Sequence, residues 1–545
     1  MRKVATKLEQ FRQALSVIFP KLQVDTPIPT TVIIFKADDS FRPFKPRYKG
    51  KINDKVGGYF LTGPEMNYIV FANENRGDEN PYDIIFHEYE HFIVRNNLFR
   101  LPAWLDEGLA EFYSSFEISD KDQKGTLGSP ISRHVYNLRN ATMVPLKTLF
   151  SVDHKSPYYN ESSKAGIFYA ESWALVHYLI LGNDQKRQSQ LIKFIDLIQN
   201  DVPTEQGFRE AFQADYQTLE DELRPYLNRS LYPVVRVNFK QRLSTDHDIV
   251  VRPISEAEAE YYLGDLLLQS NRLEEAESHL QKSVTVDAAF AAAHVALGEL
   301  RSRQDRGSEA SEEFETAIRL DQNNYLAHYL YGRTLYRETR LEEAIKQYQT
   351  AITLNPQMGF VYLSLAYAYL ASGEDSEAVD TLGRGVGADP KNPLLYRSLG
   401  FILLQQARGE VAVYNASTYL RIKGWLDDAS SYMALVKYFG LRQTKKDAEA
   451  ARFVIEAGLL LDASEWPYPL VQYLEHKLPI DQLFAKASDN EKLTEAHAYV
   501  GLEFSLNGDR ASAAEHLQWV RDHGRKDFVE YLLALAELAR IEQTP

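Results

Sequence analysis

Apolar positions along this chain change their spacing from one region to the next. From Met1 to Phe19 they recur at helical intervals between Lys7, Glu9, Arg12 and Gln13, which predicts an amphipathic helix. Two β-branched and aromatic runs, Thr30-Thr31-Val32-Ile33-Ile34-Phe35 and Tyr68-Ile69-Val70-Phe71-Ala72, predict strands. Ile84, Ile85, Phe86, Phe92, Ile93 and Val94 then surround a polar cluster and predict a largely buried helix. Asn80 suits its N-cap, Pro81 its first position, and Asp83 in the first turn complements the helix dipole. Pro102 opens a second helical segment, and from about Gly166 to Leu227 the pattern is helical again. Strands before helices imply a small sheet covered by helices, an α+β first domain over residues 1–229. Tyr232-Pro233-Val234-Val235-Arg236-Val237-Asn238-Phe239 and the polar stretch to Pro253 read as a strand-like connector, residues 230–255.

Beyond the connector the pattern repeats. Gly264, Gly298, Gly332, Ala366 and Gly400 are 34 residues apart, and so are Ala276, Ala310, Ala344, Ala378 and Ala412. These are the two small-residue positions at which the paired helices of a tetratricopeptide repeat approach each other, and Pro356 and Pro390 close two units. Such units bury their apolar faces only by stacking, so residues 256–416 are expected to form an all-α solenoid with a groove for extended partners. Over residues 417–545 the register blurs into degenerate helical repeats and a cap, although Gly501 and Ala513 keep the internal spacing of 12. Tyr329, Tyr336, Tyr348, Tyr362 and Tyr369 read as packing residues.

At 545 residues the chain is too long for one ordinary core. A net charge of −15 argues against nucleic acid or an anionic membrane as the main partner, and no apolar run is long enough to span a bilayer. Cysteine is absent, so any metal must be held by histidine and carboxylate.

The polar cluster supplies such ligands. In His87-Glu88-Tyr89-Glu90-His91 the histidines are one helical turn apart and can share one ion, while Glu88 faces the place of a metal-activated water. A general base for hydrolysis belongs there. Glu107, in the second helical segment, stands where a third ligand is wanted, and Gly108 beside it has no side chain to block the approach of the two helices. Three protein ligands and an open position form the catalytic zinc pattern.

The two segments resemble the gluzincin peptidases, in which a His-Glu-x-x-His helix is completed by a glutamate from a following helix. Leu101 to Phe112 is similar, more narrowly, to bacterial peptidase-MA-like domains that carry tetratricopeptide repeats behind them. The resemblance implies a zincin-like fold over roughly residues 1–230, Zn2+ as cofactor, His87, His91 and Glu107 as its ligands and Glu88 as catalytic base. It aligns Glu111 with an acid that hydrogen-bonds a ligand histidine, the alternative being a solvated helix carboxylate. Tyr169 corresponds to a tyrosine that hydrogen-bonds the tetrahedral oxyanion; it also fits the apolar stripe of its own helix with Trp173, Val176 and Leu179. His134, His154 and His177 read as structural histidines. The family's aminopeptidase branch has an acid on a glycine-rich edge strand; here that stretch, Val56 to Gly63, has none, and Glu65 lies just past it. Specificity for a free amino terminus is therefore not expected, although the strand suits pairing with an extended peptide. From Trp466-Pro467-Tyr468-Pro469 onward the chain resembles bacterial repeat lipoproteins that act as protease adaptors.

Together these features predict a zinc peptidase whose repeats recruit protein substrates or partners; the alternative is a repeat-based scaffold with a catalytically idle zinc domain. Relatives are commonly exported, yet Met1 to Phe19 is not a continuous apolar leader. Either a cytoplasmic form or a periplasmic or secreted form whose leader is missing from the sequence fits.

Overall fold

The protein is described by a computed structural model for residues 2–543, apart from 21–23, 25–27, 49, 55, 64–65, 73–81, 99–100, 120–122, 154–155, 161, 200–201, 241–242, 244–249 and 426. It divides into two compact units, Met1–Ser283 and Val284–Pro545.

In the first unit, β1 (Thr30–Phe35) runs parallel to β5 (Asn67–Ala72), and β4 (Gly58–Leu61) pairs antiparallel with the other side of β5. The order β1-β5-β4 makes β4 an edge strand. Tyr68, Ile69, Val70 and Phe71 of the central strand are buried, as their near-continuous apolar run requires. A two-stranded hairpin joins β2 (Arg47–Tyr48) and β3 (Lys51–Ile52). A third sheet has the order β6 (Glu117–Ser119), β7 (Lys124–Leu127), β8 (Val235–Asn238). The helix Arg2–Ile18 buries Phe11 against Phe86, with ring centroids 4.6 Å apart.

Two glycines set close approaches that a side chain would prevent. A Cβ on Gly58 would come within 2.4 Å of Ile84, so glycine lets β4 lie against the helix Asp83–Asn97. A Cβ on Gly108 would come within 2.5 Å of the Ser172 carbonyl and of Val176. The helix that Gly108 admits is therefore Ser162–Leu181, not the one carrying the histidines.

The connector region is partly built into this unit. β8 pairs with β7, the Phe239 amide donates to the Gln123 carbonyl, and the Phe239 ring is buried. The first repeat helices also pack here. Tyr68 Oη donates to Asp265 on the helix Glu256–Gln269, Arg47 pairs with Glu275, and Phe44 lies 5.7 Å from His279. The division of the chain consequently falls after Ser283, one helix pair beyond the anticipated connector.

Both units carry the 34-residue signature. Added Cβ atoms on Gly264, Gly298, Gly332 and Gly501 would meet Leu280, Phe314, Tyr348 and Leu517 at 2.6–2.8 Å, in each case the residue 16 positions on. Ala276, Ala310, Ala344, Ala378, Ala412 and Ala513 are all fully buried. Tyr329, Tyr348 and Tyr362 are buried as packing residues. A third periodic position lies in the turns, where Asn271, Asp305, Thr339, Gly373 and Ala407 all have positive φ. Among the described residues no helix is long and apolar enough to cross a membrane.

Candidate metal centre

The helix Asp83–Asn97 presents His87 and His91 one turn apart, and the helix Ala103–Ser114 brings Glu107 to them. Asn80 and Pro81, read as its cap, lie outside the described residues, as do Glu65 and His154. The two imidazole Nε2 atoms face each other at 3.2 Å, and Glu107 Oε2 lies 3.4 Å from that of His87 and 3.5 Å from that of His91. A tetrahedral cation with ligands about 2.0–2.1 Å away would hold them about 3.3–3.4 Å apart. The observed triangle has that size. Glu107 Oε2 is buried and, among the described residues, accepts no hydrogen bond, so this carboxylate calls for positive charge beside it, from a shared cation or from a protonated imidazole.

The surrounding groups fix these three side chains. Tyr159, on the short helix Pro157–Asn160, donates its Oη to the other Glu107 oxygen at 2.6 Å. Asp106 Oδ1 lies 3.3 Å from Nδ1 of His91, on the ring edge away from the triangle. Glu111 comes to 3.9 Å from His87 Nδ1, beyond hydrogen-bond reach, and to 3.0 Å from His134 Nε2. It is buried among histidines, so the picture of a solvated helix carboxylate does not hold, and its nearest partner is His134. Glu90 is buried behind His91 and close to Asp106.

Electrostatically the cluster attracts positive charge. Burial pulls the imidazole pKa of His87 down, but Glu107 and Glu111 outweigh it and raise the value to about 9. His91 is raised for the same reason by Glu107 and Asp106, against burial. Burial pushes Glu107 up, and the two histidines still hold it well below the usual carboxylate range. Glu88 is raised by burial, against the histidines, and accepts a backbone hydrogen bond from Phe60 on the edge strand β4. Burial also lifts Glu90 to about 8.

Tyr169, on the helix Ser162–Leu181, hydrogen-bonds Tyr159, so the two phenols form a chain ending on Glu107. His177 is fully buried and satisfied on both sides, by Tyr226 Oη at 2.7 Å and the Gly128 carbonyl at 2.8 Å. Tyr159, Asp106 and Glu90 went unread in the sequence. Asp106 could have been found from its place beside Glu107, whereas Tyr159 stands in a four-residue helix with no pattern.

Residues 295–359 and 335–400 match family models described as tetratricopeptide repeat. Residues 84–205, which include both helices of the candidate centre and the Tyr169 helix, match a family model described as protein of unknown function, DUF1570. Similar solved structures include PilF of Pseudomonas aeruginosa, 22% identical over 40% of this chain and 97% of that one, with a TM-score of 0.34. PilW, described as a type IV pilus biogenesis factor, is 15% identical over 38% of this chain and 94% of its own, with a TM-score of 0.33. YrrB, described as a TPR protein with an unusual peptide-binding site, is 21% identical over 33% and 91%, at 0.28. No curated protein matches the chain. The C-terminal part is thus an all-helical tetratricopeptide-repeat solenoid, which implies protein partners.

Proposed function

We propose that the first unit is a zincin-like, gluzincin-type zinc peptidase and that the repeats bring it protein substrates or partners. The observation that carries this reading is the triangle of His87, His91 and Glu107, with edges of 3.2–3.5 Å and a buried oxygen that, among the described residues, accepts no hydrogen bond. Zinc held there would supply a Lewis acid that polarises a peptide carbonyl and makes water acidic enough to deprotonate near neutral pH. Glu88 takes the proton from the attacking water and passes it to the leaving nitrogen. Among the described residues β4 is an outer strand of its sheet, and its edge beside Glu88 offers backbone groups other than the Phe60 amide to an extended substrate. Tyr169 serves as the oxyanion donor by exchanging its hydrogen bond to Tyr159 for one to the substrate. Asp106 orients His91, and Tyr159 orients Glu107.

The rival reading is an adaptor whose zinc domain is idle; the matched repeats support partner binding under either. Metal content together with cleavage of a broad peptide library separates the two. Stoichiometric zinc with chelator-sensitive cleavage supports the peptidase. Stoichiometric zinc without cleavage, in the presence of a bound partner as well as alone, supports the adaptor.

A further inference from the structure

In the second unit the helices Gly359–Ala371, Pro393–Gln405 and Ser430–Gln443 meet Asn490–Leu506 and Val529–Gln543 around a cavity of about 500 Å³. The last helix packs on Asn490–Leu506 and reaches back to Pro393–Gln405, where Arg540 donates to the Gln405 carbonyl. Phe401, Phe528, Tyr367 and Leu533 give the cavity apolar and aromatic walls. Its rim carries Val529 and Leu532, 45% and 48% exposed.

Set into these walls are two carboxyls, Glu495 and Glu530, only 5% and 3% exposed. Glu495 accepts from Trp466 Nε1 at 2.7 Å and from Tyr432 Oη at 3.2 Å, and Glu530 accepts from Tyr499 Oη at 2.9 Å. All three donors are neutral, and among the described residues neither carboxyl has a lysine or arginine partner. Burial, followed by the charge of Glu530, pushes Glu495 up to about 8; burial also raises Glu530. Two carboxyls in an apolar wall cost stability that apolar residues would not, whether they stay charged or hold a proton, and a positive charge entering beside them offsets that cost. Arg397 also lines the cavity and has no ion pair among the described residues, so its donors are available to backbone carbonyls.

We propose that this cavity is a docking site for a segment of a partner protein that presents a lysine or arginine side chain flanked by apolar residues. The cationic head meets Glu495 and Glu530, its aliphatic stem lies along Phe401 and Tyr432, and the flanking apolar residues cover Val529 and Leu532. This site stands independently of the zinc reading.

The test uses the full-length chain and a library of capped heptapeptides with central lysine or arginine between apolar residues, compared with matched libraries with central glutamine or glutamate. The lysine and arginine peptides should be enriched at least tenfold, and binding by fluorescence anisotropy should weaken at least tenfold in both Glu495→Gln and Glu530→Gln. Because Leu532 is exposed, Leu532→Lys should weaken binding without burdening the fold, which keeps the test decisive if a glutamine variant melts early. Three results would overturn the proposal: no enrichment, equal binding by all three folded variants, or selection of glutamate peptides whose binding is lost in Arg397→Ala. Calcium or manganese binding that needs both carboxyls, without binding of the lysine or arginine peptides, would likewise overturn it in favour of a metal site.

Discussion

Replacing Tyr159 with phenylalanine removes one oxygen and little else, yet that oxygen donates at 2.6 Å to a glutamate only 2% exposed. Hydrogen bonds to charged groups contribute about 1.5–3 kcal/mol, and removing the partner of a metal-ligating side chain typically costs about 10–100-fold in metal affinity, which is about 1.4–2.7 kcal/mol. The two scales agree, so Tyr159→Phe should raise the zinc dissociation constant about 10–100-fold. The assay is competition against a chromogenic chelator at neutral pH, with thermal melts to show that the fold is intact. Tyr169→Phe is the matched control, since its phenol hydrogen-bonds Tyr159, which in turn donates to Glu107. It should leave zinc affinity nearly unchanged while lowering turnover about 10²-fold. Zinc affinity unchanged in a folded Tyr159→Phe protein would refute the argument that this hydrogen bond holds the ligand.

Other outcomes follow from the packing. A fragment of residues 1–240 lacks Asp265 and bares Tyr68, whose burial contributes about 2 kcal/mol, so its urea midpoint should fall below that of a fragment ending after Val286; equal midpoints would show that the first repeat pair adds nothing to the sheet. Thr339 has φ of 59°, a conformation that costs a β-branched residue energy, so Thr339→Gly should stabilise the protein by up to about 1 kcal/mol in chemical denaturation; a loss of stability would show that its side chain matters more. Burial holds the His177 pKa at about 4 against an ordinary 6.5. The unfolded state therefore binds the extra proton between these values, stability is full above about pH 6.5 and falls by about 3 kcal/mol toward pH 4, and a pH series of denaturation midpoints should lose part of that slope in His177→Gln.

The parts of the site that were legible in the sequence are those governed by local geometry. His87 and His91 share a helix face because four residues make one turn, and the 34-residue series of small residues locates the helix pairs because glycine lies where Phe314 or Tyr348 crosses and the alanines twelve positions on are fully buried. What was illegible depends on contacts remote in sequence. The hydrogen bond from Tyr68 to Asp265 spans 197 positions, and no local pattern announces that a repeat helix will cover the sheet. Tyr159 reaches Glu107 across 52 positions from a turn of helix without periodicity. Gly108 marks a close approach, but a missing side chain shows only that something comes close, and the helix it admits, Ser162–Leu181, is remote in sequence.

The most direct test of the central claim is a paired measurement on wild type and Glu88→Gln: zinc per chain, and cleavage of a broad peptide library. Glu88 is the one member of the cluster whose proposed role needs a carboxylate to accept a proton and not to hold the ion. One zinc per chain is expected in both proteins, with cleavage by wild type and none by the variant. Zinc-free wild type, or a Glu88→Gln protein that cleaves as well as wild type, would contradict the central claim.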